Sequence, residues 1–336
     1  MALFNLIIIA IFAIILSRLM KKLNLPGLVG MLIAGIVTGP YAFDLISDRV
    51  IGISANLRLF ALIIILARAG LALDIKALMK IGRPAILMSV IPPVLEIGAV
   101  VILAPVLFSI THLEAAIMGA VLSAVSPAVV VPRMLKMMKN GRGISKGIPQ
   151  LVMAATSVNG IFAIVLFALF TSAEGSGGGL DMILRSAVLP LATVVAGAAT
   201  LRFRPDVAAK LSGITAKIWV PSEVMLFVLV GASINLNYVS GVGAAAIAMI
   251  AIALAIRMCG VWLCLAKTYL SMKERLFCAI SYSPKATVQA AIGGTALAVG
   301  VDAGHIILTV AALAILITAP LGALGIDLMC RRMGEQ

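Results

Sequence analysis

The sequence predicts an all-α membrane protein of about eleven transmembrane helices, arranged as an inverted-topology repeat with two discontinuous crossing helices. Three observations lead there. Hydrophobic residues make up 62% of the 336 positions and charged residues 12%, which is far more apolar surface than a soluble core of this length can bury. The Lys and Arg residues fall in alternate connections between apolar runs of spanning length. Two Ser-Pro pairs, Ser126-Pro127 and Ser283-Pro284, interrupt such runs 157 residues apart.

The apolar runs cover residues 3 to 20, 27 to 44, 56 to 73, 85 to 109, 114 to 134, 148 to 171, 182 to 202, 219 to 236, 242 to 266, 275 to 299 and 304 to 328. The first lacks a basic leading segment and a small-residue cleavage site before Lys21, so it reads as a retained span. Lys21 and Lys22 occupy the first connection, Lys76, Lys80 and Arg83 the third, and Arg133, Lys136, Lys139, Arg142 and Lys146 the fifth. Arg202, Arg204, Lys210 and Lys217 follow in the seventh, Lys267, Lys273 and Arg275 in the ninth, and Arg331 with Arg332 at the end. The intervening connections are nearly bare. The positive-inside rule then places the N-terminus outside and the C-terminus in the cytoplasm, as expected in a bacterial-type plasma membrane. Pro26, Pro40, Pro92, Pro93 and Pro105 read as helix starts and kinks. Gly175 to Gly179 reads as a flexible outer loop. Arg68, close to the end of its run, is expected to snorkel to the cytoplasmic interface.

The Ser-Pro pairs lie on the fifth and tenth runs, so the two segments cross the membrane in opposite directions. ARAGLALDIKAL at the end of the third run matches LVGASINLNYVS at the end of the eighth, again five runs on. Glu96 on the fourth run and Arg257 on the ninth are the ionisable groups central to their spans. Three such spacings predict inverted repeats over about 56–171 and 219–328 within a single transmembrane domain covering 1–336, joined by a connecting region over 172–218. At about 1.5 Å of rise per residue in a core roughly 30 Å thick, Glu96, Arg257, Ser126, Lys285 and Asn159 all reach the midplane. A charge there costs about 2.5 to 3.5 kcal/mol, so Glu96 and Arg257 are expected to pair. Proline removes a backbone donor, and broken backbone at that depth lines a cavity, so Pro127 and Pro284 mark the breaks of a secondary transporter.

Other classes have little support. A net charge of +13 would suggest nucleic acid in a soluble chain, but here its distribution is that of membrane loops, and no nucleic-acid partner is expected. Cys259, Cys264, Cys278 and Cys330 fit no zinc or CxxC spacing and read as reduced thiols. His112 and His305 sit at outer helix ends as interfacial residues. No Gly-rich phosphate loop, nucleophile elbow or HExxH is present, so neither an enzyme nor a bound cofactor is expected.

Several blocks resemble the monovalent cation:proton antiporters, and most closely the NHA-type sodium/proton exchangers: RAGLALD at 68–74, AVSPAVVVP at 124–132, KGIPQLVMAA at 146–155, AKIWVP at 216–221, FVLVGASI at 227–234 and SPKATVQAAIG at 283–293. The resemblance implies a shortened sodium/proton antiporter fold, a homodimer in the lipid bilayer, an elevator-like shift of a core domain, and exchange of Na+ or Li+ for protons. It also implies the Glu96–Arg257 salt bridge as a structural pair. Where that family places an Asp-Asp or Asn-Asp pair, this chain reads Ser157-Val158-Asn159-Gly160, so Gly160 stands at the position of the essential carboxylate. The chain is also two helices short of the family between Thr171 and Arg202.

The ion and proton path is therefore expected at Asn159, Ser157, Thr156, Gly160, Ser126, Lys285 and Gln289, with Na+ or Li+ held at Asn159 and Ser157 by oxygens that could equally serve helix-to-helix hydrogen bonding. A buried ammonium with no carboxylate to hold it charged can release its proton near neutral pH, which makes Lys285 a candidate proton carrier. Equally, Lys285 could brace the crossover by binding a helix C-terminus, and Gln289, one turn on, could share either role. Two further readings stay open: a transporter of a small anion, since the midplane keeps Lys285 and positive helix ends, and a transport-inactive regulatory homologue.

Overall fold

The computed structural model describes residues 2–71, 82–143, 146–174 and 188–332. Among them the chain forms α1 (Ala2–Lys22), α2 (Gly27–Thr38), α3 (Asp48–Gly52), α4 (Ser54–Leu71), α5 (Arg83–Phe108), α6 (His112–Ser123), α7 (Pro127–Lys139), α8 (Ile148–Glu174), α9 (Leu189–Phe203), α10 (Pro205–Ala232), α11 (Leu236–Leu265), α12 (Met272–Ser281), α13 (Thr287–Ala298) and α14 (Gly304–Arg332), with no strand. Lys76, Lys80 and the glycine-rich stretch 175–179 lie outside the described residues.

By length and composition, 7 spans among the described residues can cross a membrane, counting α6 and α7 as one, and α2 and the 192–203 part of α9 are shorter apolar helices. The expected count of eleven requires α1, α2, α9 and the α12–α13 pair in addition. Large apolar side chains on α5 point outward, among them Ile102 and Val106 at 70% and 83% exposure, as a lipid-facing surface demands.

Two half-helices begin in the same way. Thr111 and Glu114 form a reciprocal capping box at the start of α6, and Ser271 with Glu274 forms one at the start of α12. Each box satisfies backbone donors that would otherwise be orphaned at a helix start. Each also anchors its half-helix to another segment: Glu114 accepts the Ala303 N–H at 2.8 Å, and Glu274 pairs with Lys146 at 2.9 Å. Both half-helices stop short of a full crossing, and the chain resumes as helix at Pro127 and at Thr287.

Proline explains the placement of the breaks. Pro127 is the first residue of α7, where a missing N–H costs nothing. Pro284 lies inside the second break, between α12 and α13. The two breaks meet, since the Ser126 N–H donates to the Pro284 carbonyl at 2.8 Å. Pro92, Pro93 and Pro105 are carried within α5.

Elsewhere the helices close on one another through glycines. A Cβ on Gly35 of α2 would run into the Val228 backbone of α10, and one on Gly231 of α10 into the Leu32 carbonyl of α2. Gly70 of α4 meets the Val194 backbone of α9 in the same way. Small residues allow such backbone approach, which is the main packing device between helices in lipid.

Candidate functional site

Around the crossed breaks, buried side chains account for the backbone groups that the missing helical turns leave free. On α5, the Glu96 carboxylate receives Arg257 Nη1 of α11 on one oxygen and Lys285 Nζ on the other at 2.6 Å. The three side chains are 1%, 0% and 1% exposed, in the order Glu96, Arg257, Lys285. The two cations also cap helix C-terminal carbonyls. Lys285 Nζ donates to Leu122 O at 2.5 Å, Arg257 Nη1 to Ser123 O at 2.6 Å, and Arg257 Nε to Tyr282 O at 2.9 Å. Leu122 and Ser123 end α6 and Tyr282 follows α12, so these oxygens carry the negative end of a helix dipole.

Amide side chains complete the lattice. Gln289 Nε2 donates to Ala124 O at 2.6 Å while its oxygen accepts the Ala286 N–H at 2.7 Å. Asn159 Oδ1 accepts the Val125 N–H at 2.6 Å, and its Nδ2 donates to Ser123 O at 3.3 Å. The Lys285 N–H goes to Thr318 Oγ1 at 3.0 Å.

These contacts alter two sequence expectations. Lys285 is not without a carboxylate: Glu96 serves both cations, so the expected pair is a triad. The Asn159 oxygen, read as a cation ligand, here accepts the Val125 N–H and lies 3.5 Å from Arg257 Nη2. It is a staple for the first break. Ser126 and Thr156 are fully buried near the crossover, and the Ser126 hydroxyl finds no hydrogen-bond partner among the described residues.

Asn159 and Gly160 are neighbours in sequence but about 100° apart around α8, and they face different surroundings. Gly160, with Ser157, Ile161 and Ile164, lines a cavity of about 460 Å³ bounded also by Arg68, Pro127, Trp219, Glu223 and Thr287. A Cβ built on Gly160 meets nothing within 4 Å. The Ser157 hydroxyl donates to Met153 O at 3.0 Å, which leaves its lone pairs facing outward from that bond. Arg68 does not simply snorkel: its guanidinium lies over the Trp219 ring, 5.6 Å from the centroid, on the wall of this cavity.

Glu223 was not among the residues that the sequence singled out. It falls early in the eighth run and resembles an interfacial residue by position alone. The usable signal was an acid without a basic residue one helical turn away, inside an otherwise apolar segment.

A sequence profile described as "Sodium/hydrogen exchanger, transmembrane" matches residues 7–215 and 186–332. The chain belongs to the sodium/hydrogen exchanger family. It is 32% identical to human Sodium/hydrogen exchanger 9B1 over 403 aligned residues, covering 98% of this chain and 78% of the relative. Against Sodium/hydrogen exchanger 9B2 of Xenopus tropicalis it is 33% identical, covering 99% of this chain and 75% of that one. Both alignments are longer than this exchanger's 336 residues, so the relatives carry residues that it lacks. The two profile matches overlap at residues 186–215. Among solved structures, the sodium proton antiporter MjNhaP1 of Methanocaldococcus jannaschii superposes with a TM-score of 0.80 at 16% identity, covering 99% of this chain and 98% of that one. At that identity the likeness speaks to fold, and the fold is the antiporter fold. The exchanger is thus a multi-pass integral membrane protein.

Proposed function

We propose that this exchanger is a secondary active transporter that moves a monovalent cation, Na+ or Li+, against protons by alternating access around the two crossed breaks. The single observation that carries this is the buried Glu96–Arg257–Lys285 triad at the crossover in a chain of the sodium/hydrogen exchanger family. With all three groups ionised the triad holds one positive charge in excess. Loss of the Lys285 proton leaves the Glu96–Arg257 pair balanced, and a cation entering the neighbouring cavity brings the charge back. Cation and proton thereby exclude each other through one electrostatic account, since two excess charges in a poorly solvated site repel strongly.

In the same proposal Ser126, Thr156 and Ser157 supply neutral oxygens along the path, and Gln289 and Asn159 hold the breaks in register. The repeats at about 56–171 and 219–328 are the moving architecture, and the overlapping profile matches at 186–215 support a shortened connection over 172–218. The protein works as a homodimer in a bacterial-type plasma membrane, with its N-terminus outside and its C-terminus in the cytoplasm, as the alternation of basic residues supports.

One observation favours a second reading, a regulatory homologue that keeps the fold without transport: the α8 position of the family's essential carboxylate is Gly160. The anion reading needed a Lys285 free to face the anion, whereas its ammonium is occupied by Glu96 and the Leu122 carbonyl. The test is Na+- and Li+-induced proton efflux from proteoliposomes holding wild type, Gly160→Asp or Lys285→Ala. Exchange by wild type that Lys285→Ala loses supports antiport with Lys285 as proton carrier. Exchange by Gly160→Asp alone supports the inactive homologue, and the open space around Gly160 leaves room for that side chain.

A further inference from the structure

Glu223 stands at a meeting point of cavities. It lines the 460 Å³ cavity that holds Ser157 and Gly160, a second of about 460 Å³ with Lys21, Arg133, Lys136 and Asp327, and a third of about 760 Å³ with Arg18 and Lys21. Lys21, Arg133 and Lys136 belong to the connections assigned to the cytoplasmic side, and Arg18 lies one turn before Lys21 on α1. Glu223 therefore sits between the cytoplasmic approach and the surface that Gly160 leaves open.

Its carboxylate has no hydrogen bond and no ion pair within 4 Å among the described residues. The charged groups facing it come from four helices: Arg18 and Lys21 of α1, Arg68 of α4, Arg133 and Lys136 of α7, and Asp327 of α14. Lys21 and Arg68 act on the carboxylate electrostatically without closing to an ion pair, and two of the cations also have other partners. Arg68 lies over Trp219, and Arg133 is paired with Asp327 at 3.4 Å. A half-buried carboxylate held only by such longer-range attraction keeps its lone pairs open to a proton or a cation.

We propose that Glu223, on α10 rather than α8, supplies the carboxylate that holds the monovalent cation in the cavity beside Gly160, with Ser157 as a neutral oxygen donor on another wall of that cavity. This rests on the exchange reading above and names its binding site. The carboxylate binds either the cation or a proton, which adds a competition at Glu223 to the charge exclusion by Lys285. The family's Asp position is empty of a side chain, and the acid has moved across the cavity to a different helix.

The experiment measures thermal unfolding of the purified protein in detergent against rising NaCl or LiCl, with choline chloride as the control for ionic strength, at several pH values. Wild type, Glu223→Gln and Glu223→Asp are compared. Wild type should be stabilised by Na+ or Li+, with the half-saturating concentration rising as pH falls. Glu223→Gln, which keeps shape and volume, should need at least about tenfold more cation, a loss of about 1.4 kcal/mol, and its pH dependence should flatten. Glu223→Asp should retain a measurable part of both. This binding readout does not depend on turnover, so a wild type that is stabilised by cation with Glu223→Gln weakened, yet shows no proton efflux, refutes antiport while supporting Glu223 as the site. Glu223→Gln responding to Na+ and Li+ as wild type does, or a wild type indifferent to both ions, overturns the proposal.

Discussion

Replacing Glu96 by Gln removes the one anion that faces two buried cations, and the consequence can be worked from the contacts. Arg257 and Lys285 are almost wholly buried, and both reach the same carboxylate. At an effective dielectric near 20, a unit pair at the 2.6 Å Lys285–Glu96 separation interacts by about 6 kcal/mol before the desolvation that offsets most of it. Breaking a buried pair by removing one partner typically costs about 3–5 kcal/mol, because the surviving charge stays buried. Here two charges survive and repel each other, so Glu96→Gln should lie at or above the top of that range. Lys285→Met removes one cation and leaves Glu96 with Arg257, so it should cost less. At roughly 2 °C per kcal/mol, Glu96→Gln is expected to lower the melting temperature of the detergent-solubilised protein by about 10 °C, with Lys285→Met in between. Scanning fluorimetry of the three proteins decides the matter. A Glu96→Gln protein that melts as wild type does, or below which Lys285→Met falls, would show that the triad does not share one carboxylate in the folded state.

Two further predictions follow from the packing. Gln289→Leu strands the Ala124 carbonyl and the Ala286 N–H, each worth about 1–3 kcal/mol when buried without a partner; the melting temperature should drop by several degrees, and hydrogen exchange at the two breaks should quicken. Gly35→Val forces side-chain atoms into the Val228 backbone and should cost about 1–3 kcal/mol as α2 and α10 separate, whereas Gly98→Ala, where a Cβ meets nothing within 4 Å, should melt with wild type.

How far the site could be read in advance depended on whether a residue's cost is local. The Glu96–Arg257 pair was legible because a charge at the centre of an apolar span has to find an opposite charge at similar depth, and few are available. The breaks at Pro127 and Pro284 were legible because proline acts on its own backbone wherever it stands. Lys285 was read without its carboxylate for the opposite reason. Which of two cations reaches Glu96, or whether both do, is settled by the position of α12 and α13 relative to α5. Asn159 was read as an ion ligand, yet its oxygen is used by the Val125 N–H, a group that is free only because of the break on a different helix. Glu223 was passed over since its importance comes from the cavities it adjoins.

The amino-acid sequence by itself determined the class of the protein, the alternation of its basic connections and the locations of its broken helices. Each of these follows from transfer free energy, loop charge or backbone chemistry, which act residue by residue along the chain. Only the tertiary structure decided that one carboxylate serves two cations, that Asn159 and Gly160 face different surroundings, and that an acid on α10 with no ion pair within 4 Å among the described residues shares a cavity with Gly160. Those outcomes depend on rotations of about 100° per residue and on distances between helices far apart in sequence, which no local pattern records.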